Sequence, residues 1–334
     1  MPVPHALSRA RQIHQEKILS KPNVVGVGVG LKSRSGRATG ELALIALVRR
    51  KVPEAALAPQ DLVPSEADGV PTDVMEVGYL RALVARTDRA RPAPGGVSIG
   101  HYQVTAGTLG AVVRDRTTGR RLILSNNHVL ANNNAASPGD AILQPGAIDG
   151  GRDPLDRIAQ LERFAPIAFV EEPSSCGVAN AVVVIGNSIA MALGSKHRLS
   201  AHRYDPQATN RVDAALALPI DDGAVSDEIL DIGVPAGTTS AELAMRVRKS
   251  GRSSGFTTGE VTVIDATVTV GYGEKSARFE GQIVSGPMSQ PGDSGSLVMS
   301  ADSLLAVGLL FAGSQQATIF NPIDAVVNAL GIVI

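Results

Sequence analysis

The sequence predicts a mainly β chain: two six-stranded antiparallel β-barrels, preceded by a small α+β unit, with one helical insertion in the first barrel. Glycine and proline, 35 and 20 of 334 residues, together exceed the roughly 12% of an average chain and favour short strands joined by turns over a helical bundle. Short apolar, glycine-punctuated runs also fall into two blocks, one on each side of a long apolar stretch near residues 178–194. The 44% of hydrophobic residues is enough, over this length, for two or three units with cores of their own.

The elements follow in order. His5 to Leu19 carries a helical pattern; Val24 to Gly30 and Glu41 to Val48 read as strands around a turn at Ser33 to Gly36; Val70 to Val77 reads as a further strand. Residues 1–85 are therefore expected to form a small α+β domain. Its alternating Gly26, Gly28 and Gly30 lie within a strand pattern and lack the strand-to-helix context of a nucleotide loop. Residues 86–96, with Pro92, Pro94, Gly95 and Gly96, have the composition of a linker.

The first barrel is expected over residues 97–220. There Thr108 to Val113 and Arg121 to Leu124 flank a hairpin signal that leads into His128. Its insertion, about 165–205, contains the apolar run Val178 to Leu193, interrupted by Asn180, Asn187 and Ser188. That run falls short of the roughly 20 uninterrupted apolar residues of a membrane span, so a packed helix is expected. Residues 221–334 supply an interbarrel segment and the second barrel. They include a capping box at Thr239 to Glu242 that predicts one short helix, strand patterns between Met245 and Phe320, and a closing helix near Ile323 to Leu330.

Charge excludes one class of partner. Lys plus Arg is 31 against 32 for Asp plus Glu, which leaves no basic field for a nucleic acid. Met1 to His5 lacks the apolar core of a secretory signal, and the lone Cys176 can form no internal bridge, so a cytoplasmic location is expected, with Cys176 as a small buried residue. The six histidines are scattered without acidic or cysteine companions, and no metal or cofactor is expected.

Three motifs carry chemistry. Pro291 to Ser296 (Pro-Gly-Asp-Ser-Gly-Ser) places Ser294 in a tight turn whose Gly292 and Ser294 amides can converge on an oxyanion. Ser125 to Val129 puts His128 just past a strand end, and Asp213 opens the apolar run Ala214 to Leu218, where a carboxylate is held at a core edge. A serine hydroxyl needs an imidazole to take its proton and a carboxylate to fix that imidazole's tautomer. The set therefore predicts Ser294 as nucleophile, His128 as base and Asp213 as orienter. The plainer reading of the first motif is a turn, and of the whole set a protease-like scaffold whose site is never assembled. An esterase is disfavoured because strand-like Leu297-Val298, not a helix, follows the serine.

On these residues the chain resembles the chymotrypsin clan of trypsin-like serine peptidases. Asn126-Asn127-His128-Val129 is most similar to the HtrA-like branch, and Lys249 to Gly259 resembles the strand pair that opens the clan's second barrel. The N-terminal unit and insertion more faintly resemble plant leaf-width trypsin-like proteases and bacterial relatives, a group that includes homo-oligomers. The resemblance implies trypsin-like barrels and an endopeptidase acting on a protein or peptide. It places Met288 at the floor of the primary pocket, Gly313 at its entrance and Thr318 in its interior. With no acid at that floor, aliphatic residues are expected on the acyl side of the cut. A second copy of the chain is an expected partner; a membrane is not.

Overall fold

The computed structural model describes residues 4–34, 37–78, 80, 85–104 and 106–334, and its contacts divide the chain into two compact units, Met1–Leu83 and Val84–Ile334. The turn expected at Ser35 and Gly36 lies outside the described residues.

In the first unit, helix α1 (His5–Leu19) precedes strands β1 (Val24–Arg34) and β2 (Arg37–Val48), an antiparallel pair, and β3 (Val70–Glu76) runs parallel to β2 with Leu44 opposite Thr72. Ala10, Leu44, Ala67 and Val70 form its core, with Leu7 and Val29 against them. The alternating glycines sit in β1. A Cβ on Gly26 would come within 3.0 Å of Leu47 Cδ1, and one on Gly30 within 3.0 Å of Ile45 Cγ1, so two of them make room for large side chains of the neighbouring strand.

The second unit is mainly β. Strands β4 (Ser98–His101), β5 (Ala111–Asp115), β6 (Arg121–Ser125), β7 (Ala141–Leu143), β8 (Arg157–Phe164) and β9 (Ala215–Pro219) are ordered β5-β6-β9-β8-β7-β4. The two-residue strands Ile332–Val333 and Gly107–Thr108 flank them, giving an eight-stranded sheet. Strands β10 (Arg246–Gly251), β11 (Gly255–Tyr272), β12 (Lys275–Ser285), β13 (Leu297–Ser300), β14 (Ala306–Gly313) and β15 (Thr318–Pro322) are ordered β12-β11-β10-β13-β14-β15. Strand β15 also pairs with β12, with Ile283 opposite Phe320, so these six close into a barrel.

Ile99, Leu109, Ile123, Ile142, Ile158 and Ala217 fill the first sheet; Val247, Val261, Ile283, Val298, Leu310 and Phe320 fill the second. A further cluster joins Leu122, Leu124 and Leu216 of the first to Leu297, Met299 and Leu309 of the second, sealed by Ile323 and Val326 of helix α4 (Ile323–Leu330). Burial on this scale, at about 25 cal/mol per Å² of apolar surface, fixes the two sheets against each other. Short helix α2 (Asn127–Leu130) follows β6, and α3 (Gly177–Ala192) lies between β8 and β9.

Five expectations need correction. Residues 86–96 are no loose linker: Ala93–Gly95 pairs in parallel with Val225–Ile229, and the Arg86 guanidinium donates to Gly96 O at 3.1 Å and Ser250 Oγ at 2.7 Å. The capping box at Thr239 starts no helix, because the Thr239 N–H donates to Ala306 O at 2.8 Å and the neighbouring Thr238 bridges Ala306. The insertion is flanked by Glu171–Pro173 and His202–Tyr204, which pair with each other and add to the edge of the second sheet, Glu171 opposite Ser276. Helix α3 buries none of its side chains, and Cys176 before it is exposed. No described helix is long and apolar enough to cross a membrane.

Candidate active site

His128 lies on α2, and its neighbours anchor it. Val129 and Leu130 are buried in the first core, Asn126 Nδ2 donates to Asp213 O at 2.6 Å, and Asn127 Nδ2 donates to Ala165 O at 2.8 Å. The turn that faces the barrel fixes the ring that faces out; the imidazole keeps 20% of its surface exposed.

Asp213 stands just before β9 and is fully buried. Its Oδ2 accepts from His128 Nδ1 at 2.6 Å and from the Tyr272 hydroxyl at 2.8 Å, and its Oδ1 accepts from the His128 N–H at 3.3 Å. The Asp213 N–H donates to Asn321 Oδ1 at 3.0 Å. An ionised carboxylate only accepts, so against it Nδ1 carries the ring proton and Nε2 keeps its lone pair. Tyr272 ends β11, and its ring stands edge-on to the imidazole at 5.8 Å between centroids. Burial first, then the charge of Asp213 and the hydrogen bond to it, push the Tyr272 phenol far above its ordinary range, which keeps the hydroxyl a donor.

Ser294 sits in the turn between β12 and β13. Gly292 has φ +99° and Gly295 φ +94°, and a Cβ on Gly295 would lie 2.1 Å from Ser125 Oγ, so both the conformation and the space require glycine. Hydrogen bonds from Thr108 N to Ser294 O (2.7 Å) and from Thr108 Oγ1 to Gly292 O (2.9 Å) tie the turn to the first sheet, and Gly295 N donates to Leu310 O at 2.8 Å in the second. Among the described residues the Gly292 and Ser294 N–H groups donate to no protein acceptor, which leaves them free for a ligand oxygen.

The same turn is held from beneath by Asp293, fully buried with Lys249. Asp293 Oδ2 accepts from Lys249 Nζ at 2.9 Å, Gln290 N at 2.9 Å and Ser254 Oγ at 2.5 Å; its Oδ1 accepts from Ser253 N and Ser254 N at 2.9 and 3.1 Å. Burial alone would raise the Asp293 pKa, but the Ser254 hydroxyl, Lys249 and the Gln290 amide outweigh it and hold the group below the usual carboxylate range.

His128, Ser294 and Tyr272 line one cavity of about 970 Å³, and no hydrogen bond joins Ser294 to His128 among the described residues. Gly313 lines it too. Met288 and Thr318, expected in the pocket, do not. Thr318 Oγ1 accepts from Met288 N at 3.0 Å and Thr257 Oγ1 donates to Met288 O at 2.6 Å, and the Met288 side chain packs in the second core. Ser289, next in the chain, lines the cavity instead and shares a 2.9 Å hydrogen bond with Thr318. Among the described residues no three His, Cys, Asp or Glu side chains cluster to hold a metal ion.

Sequence reasoning missed Lys249, Tyr272 and Asn321. Lys249 offered one signal, a long cation in a strand that otherwise reads as half-buried; Tyr272 and Asn321 offered none.

No family model and no curated protein matches the chain. Solved structures similar to it include a Nocardiopsis protease (14% identity over 72% of this chain and 97% of that one, TM-score 0.45). Protease A of Thermobifida fusca is similar at 15% identity over 72% and 96%, with a TM-score of 0.43, and a Cellulomonas bogoriensis chymotrypsin at 15% over 72% and 97%, with a TM-score of 0.44.

Proposed function

We propose that this chain is a serine endopeptidase that cleaves a protein or peptide through Ser294, His128 and Asp213. The observation that carries the reading is the buried Asp213 carboxylate, 2.6 Å from His128 Nδ1, with that histidine sharing a cavity with a serine turn whose two amides have no protein acceptor among the described residues.

In the proposed reaction His128 Nε2 takes the Ser294 proton as Oγ bonds to the scissile carbonyl carbon. The Gly292 and Ser294 N–H groups receive the oxyanion, and the proton passes to the leaving amine as the peptide bond breaks. Water then repeats the sequence on the acyl-enzyme and restores the Ser294 hydroxyl. Asp213 stays ionised throughout and stabilises the imidazolium.

Preference for an aliphatic residue on the acyl side is part of the proposal, now resting on Leu310, Phe311, Gly313 and Ser289 rather than on Met288. No carboxylate lines the cavity among the described residues, so a lysine or arginine side chain would be buried there without a partner. A cytoplasmic location belongs to the same reading, on the ground of one unbridged cysteine.

A silent scaffold is the second reading, favoured by the missing Ser294–His128 hydrogen bond. In ligand-free sites such bonds are often long and tighten only with substrate. Covalent labelling by a fluorophosphonate, present in the native chain and lost in Ser294→Ala, separates the two.

A further inference from the structure

We propose that α3 lies flat in the headgroup region of an anionic lipid bilayer and holds the protein at a membrane surface. The helix has 16 residues, no charged side chain and no buried one. Val178 is 77% exposed, and Val182, Val184, Ile185, Ile189 and Met191 are exposed as well. Each of its polar side chains already makes a hydrogen bond within the protein. Asn180 Nδ2 donates to Ser174 O at 2.9 Å, Ser188 Oγ to Val184 O at 2.8 Å, and Asn187 donates to Leu199 O and accepts from Leu199 N at 3.0 and 2.7 Å.

The returning chain gives the helix a second face. Leu199 crosses at Gly186, where an added Cβ would come within 3.0 Å of Leu199 Cδ1. At about 100° per residue, the half-exposed Val183, Gly186, Asn187 and Ala190 share the side of that crossing, and Val178, Val182, Ile185 and Ile189 form an exposed stripe along its flank. The returning chain itself carries Lys196, His197 and Arg198. Nearby Glu171 and Glu172 are engaged by His202, Arg203 and Lys275, whereas Lys196 and Arg198 make no ion pair among the described residues.

An exposed apolar helix with exposed cations close to it in the chain offers the two things that hold a segment in the interface plane, apolar area to bury and charge to face anionic headgroups. At about 24 Å it is too short to cross a hydrocarbon core of about 30 Å. Lipid is favoured over a second copy of the chain because Val184 and Met191 extend the apolar surface well beyond the Val178–Ile189 stripe. One facing helix would cover that stripe alone, and the exposed Lys196 and Arg198, the latter bonded only to the Ser195 and His197 carbonyls among the described residues, match anionic headgroups. The inference stands apart from the protease reading and replaces the expectation of a packed helix with no membrane partner.

The test uses the full chain with vesicles of phosphatidylcholine containing phosphatidylglycerol, and with phosphatidylcholine alone. Cosedimentation with the anionic vesicles is expected, weakened at least tenfold by Ile185→Asp with Ile189→Asp and by about tenfold or more by Lys196→Gln with Arg198→Gln. A polarity-sensitive dye on Cys176, the chain's one cysteine, should report a less polar setting when anionic vesicles are added to the otherwise native chain. All four substituted positions are outside the core, and circular dichroism checks that each variant folds. No sedimentation and no dye response with anionic vesicles would overturn the proposal. So would a dimer, seen by light scattering, that Ile185→Asp dissolves while vesicle binding is unchanged.

Discussion

Tyr272, at the tip of the longest hairpin of the second barrel, donates its hydroxyl to Asp213 Oδ2 at 2.8 Å, on the same oxygen that holds His128. The carboxylate therefore has two donors on one oxygen and a third, the His128 N–H, on the other. Its orientation is set by both barrels together.

Tyr272→Phe removes one charge-assisted hydrogen bond, worth about 1.5–3 kcal/mol where the acceptor is ionised, only part of which reaches the transition state. We expect kcat to fall about tenfold with KM unchanged, since the ring that lines the cavity remains. Tyr272→Ala should raise KM as well. Steady-state kinetics on one peptide checks both, and an unchanged kcat in Tyr272→Phe would remove the hydroxyl from the account.

Lys249→Met leaves Asp293 buried without its cation. Breaking a buried pair from one side costs about 3–5 kcal/mol. The urea midpoint should fall accordingly, while Lys249→Arg retains most of the stability; equal midpoints for all three chains would contradict the pairing.

Acid should act through the same carboxylate. The folded pKa of Asp293 is depressed, so its contribution is complete above the unfolded carboxylate range, near pH 4, and is lost as pH falls through the folded value. Urea midpoints measured from pH 6 downward should decline in the native chain and decline less in Asp293→Asn, which has no proton to gain. Parallel declines would assign the acid sensitivity elsewhere.

Gly313→Val tests the cavity. A Cβ at Gly313 already comes within 2.7 Å of Ser289 Oγ, so two further methyl groups should close the space between them. Cleavage after medium aliphatic residues should fall 100-fold or more, while cleavage after glycine or alanine falls less. A peptide-library profile of the native chain should show little cleavage after lysine or arginine.

Much of this site was legible because its parts are local. His128, Asp213 and Ser294 each sit at a strand end within a short motif, and such ends can be read from alternation and turn residues alone. What sequence could not supply was direction and long-range pairing. Met288 and Ser289 are neighbours, and which of them faces the cavity is decided by Thr318 and Thr257 hydroxyls gripping the Met288 backbone. Around Asp265 (φ +55°) register shifts interrupt the pairing of β11 without ending it, so one 18-residue strand runs through a stretch that alternation alone does not show as continuous. Thr239 to Glu242 carries a sound cap signal that pairing with Ala306 overrides. The apolar run at 178–194 was read as packed because burial is the usual fate of such a run, and nothing in its own residues says that no protein surface meets it.

The central claim is that Ser294 is an activated nucleophile, and fluorophosphonate labelling read by intact mass tests it most directly. The account predicts one adduct on Ser294 in the native chain, none in Ser294→Ala, and labelling slowed by orders of magnitude in His128→Ala, each variant being folded. A native chain that stays unlabelled, or a Ser294→Ala chain that labels at the native rate, would contradict it.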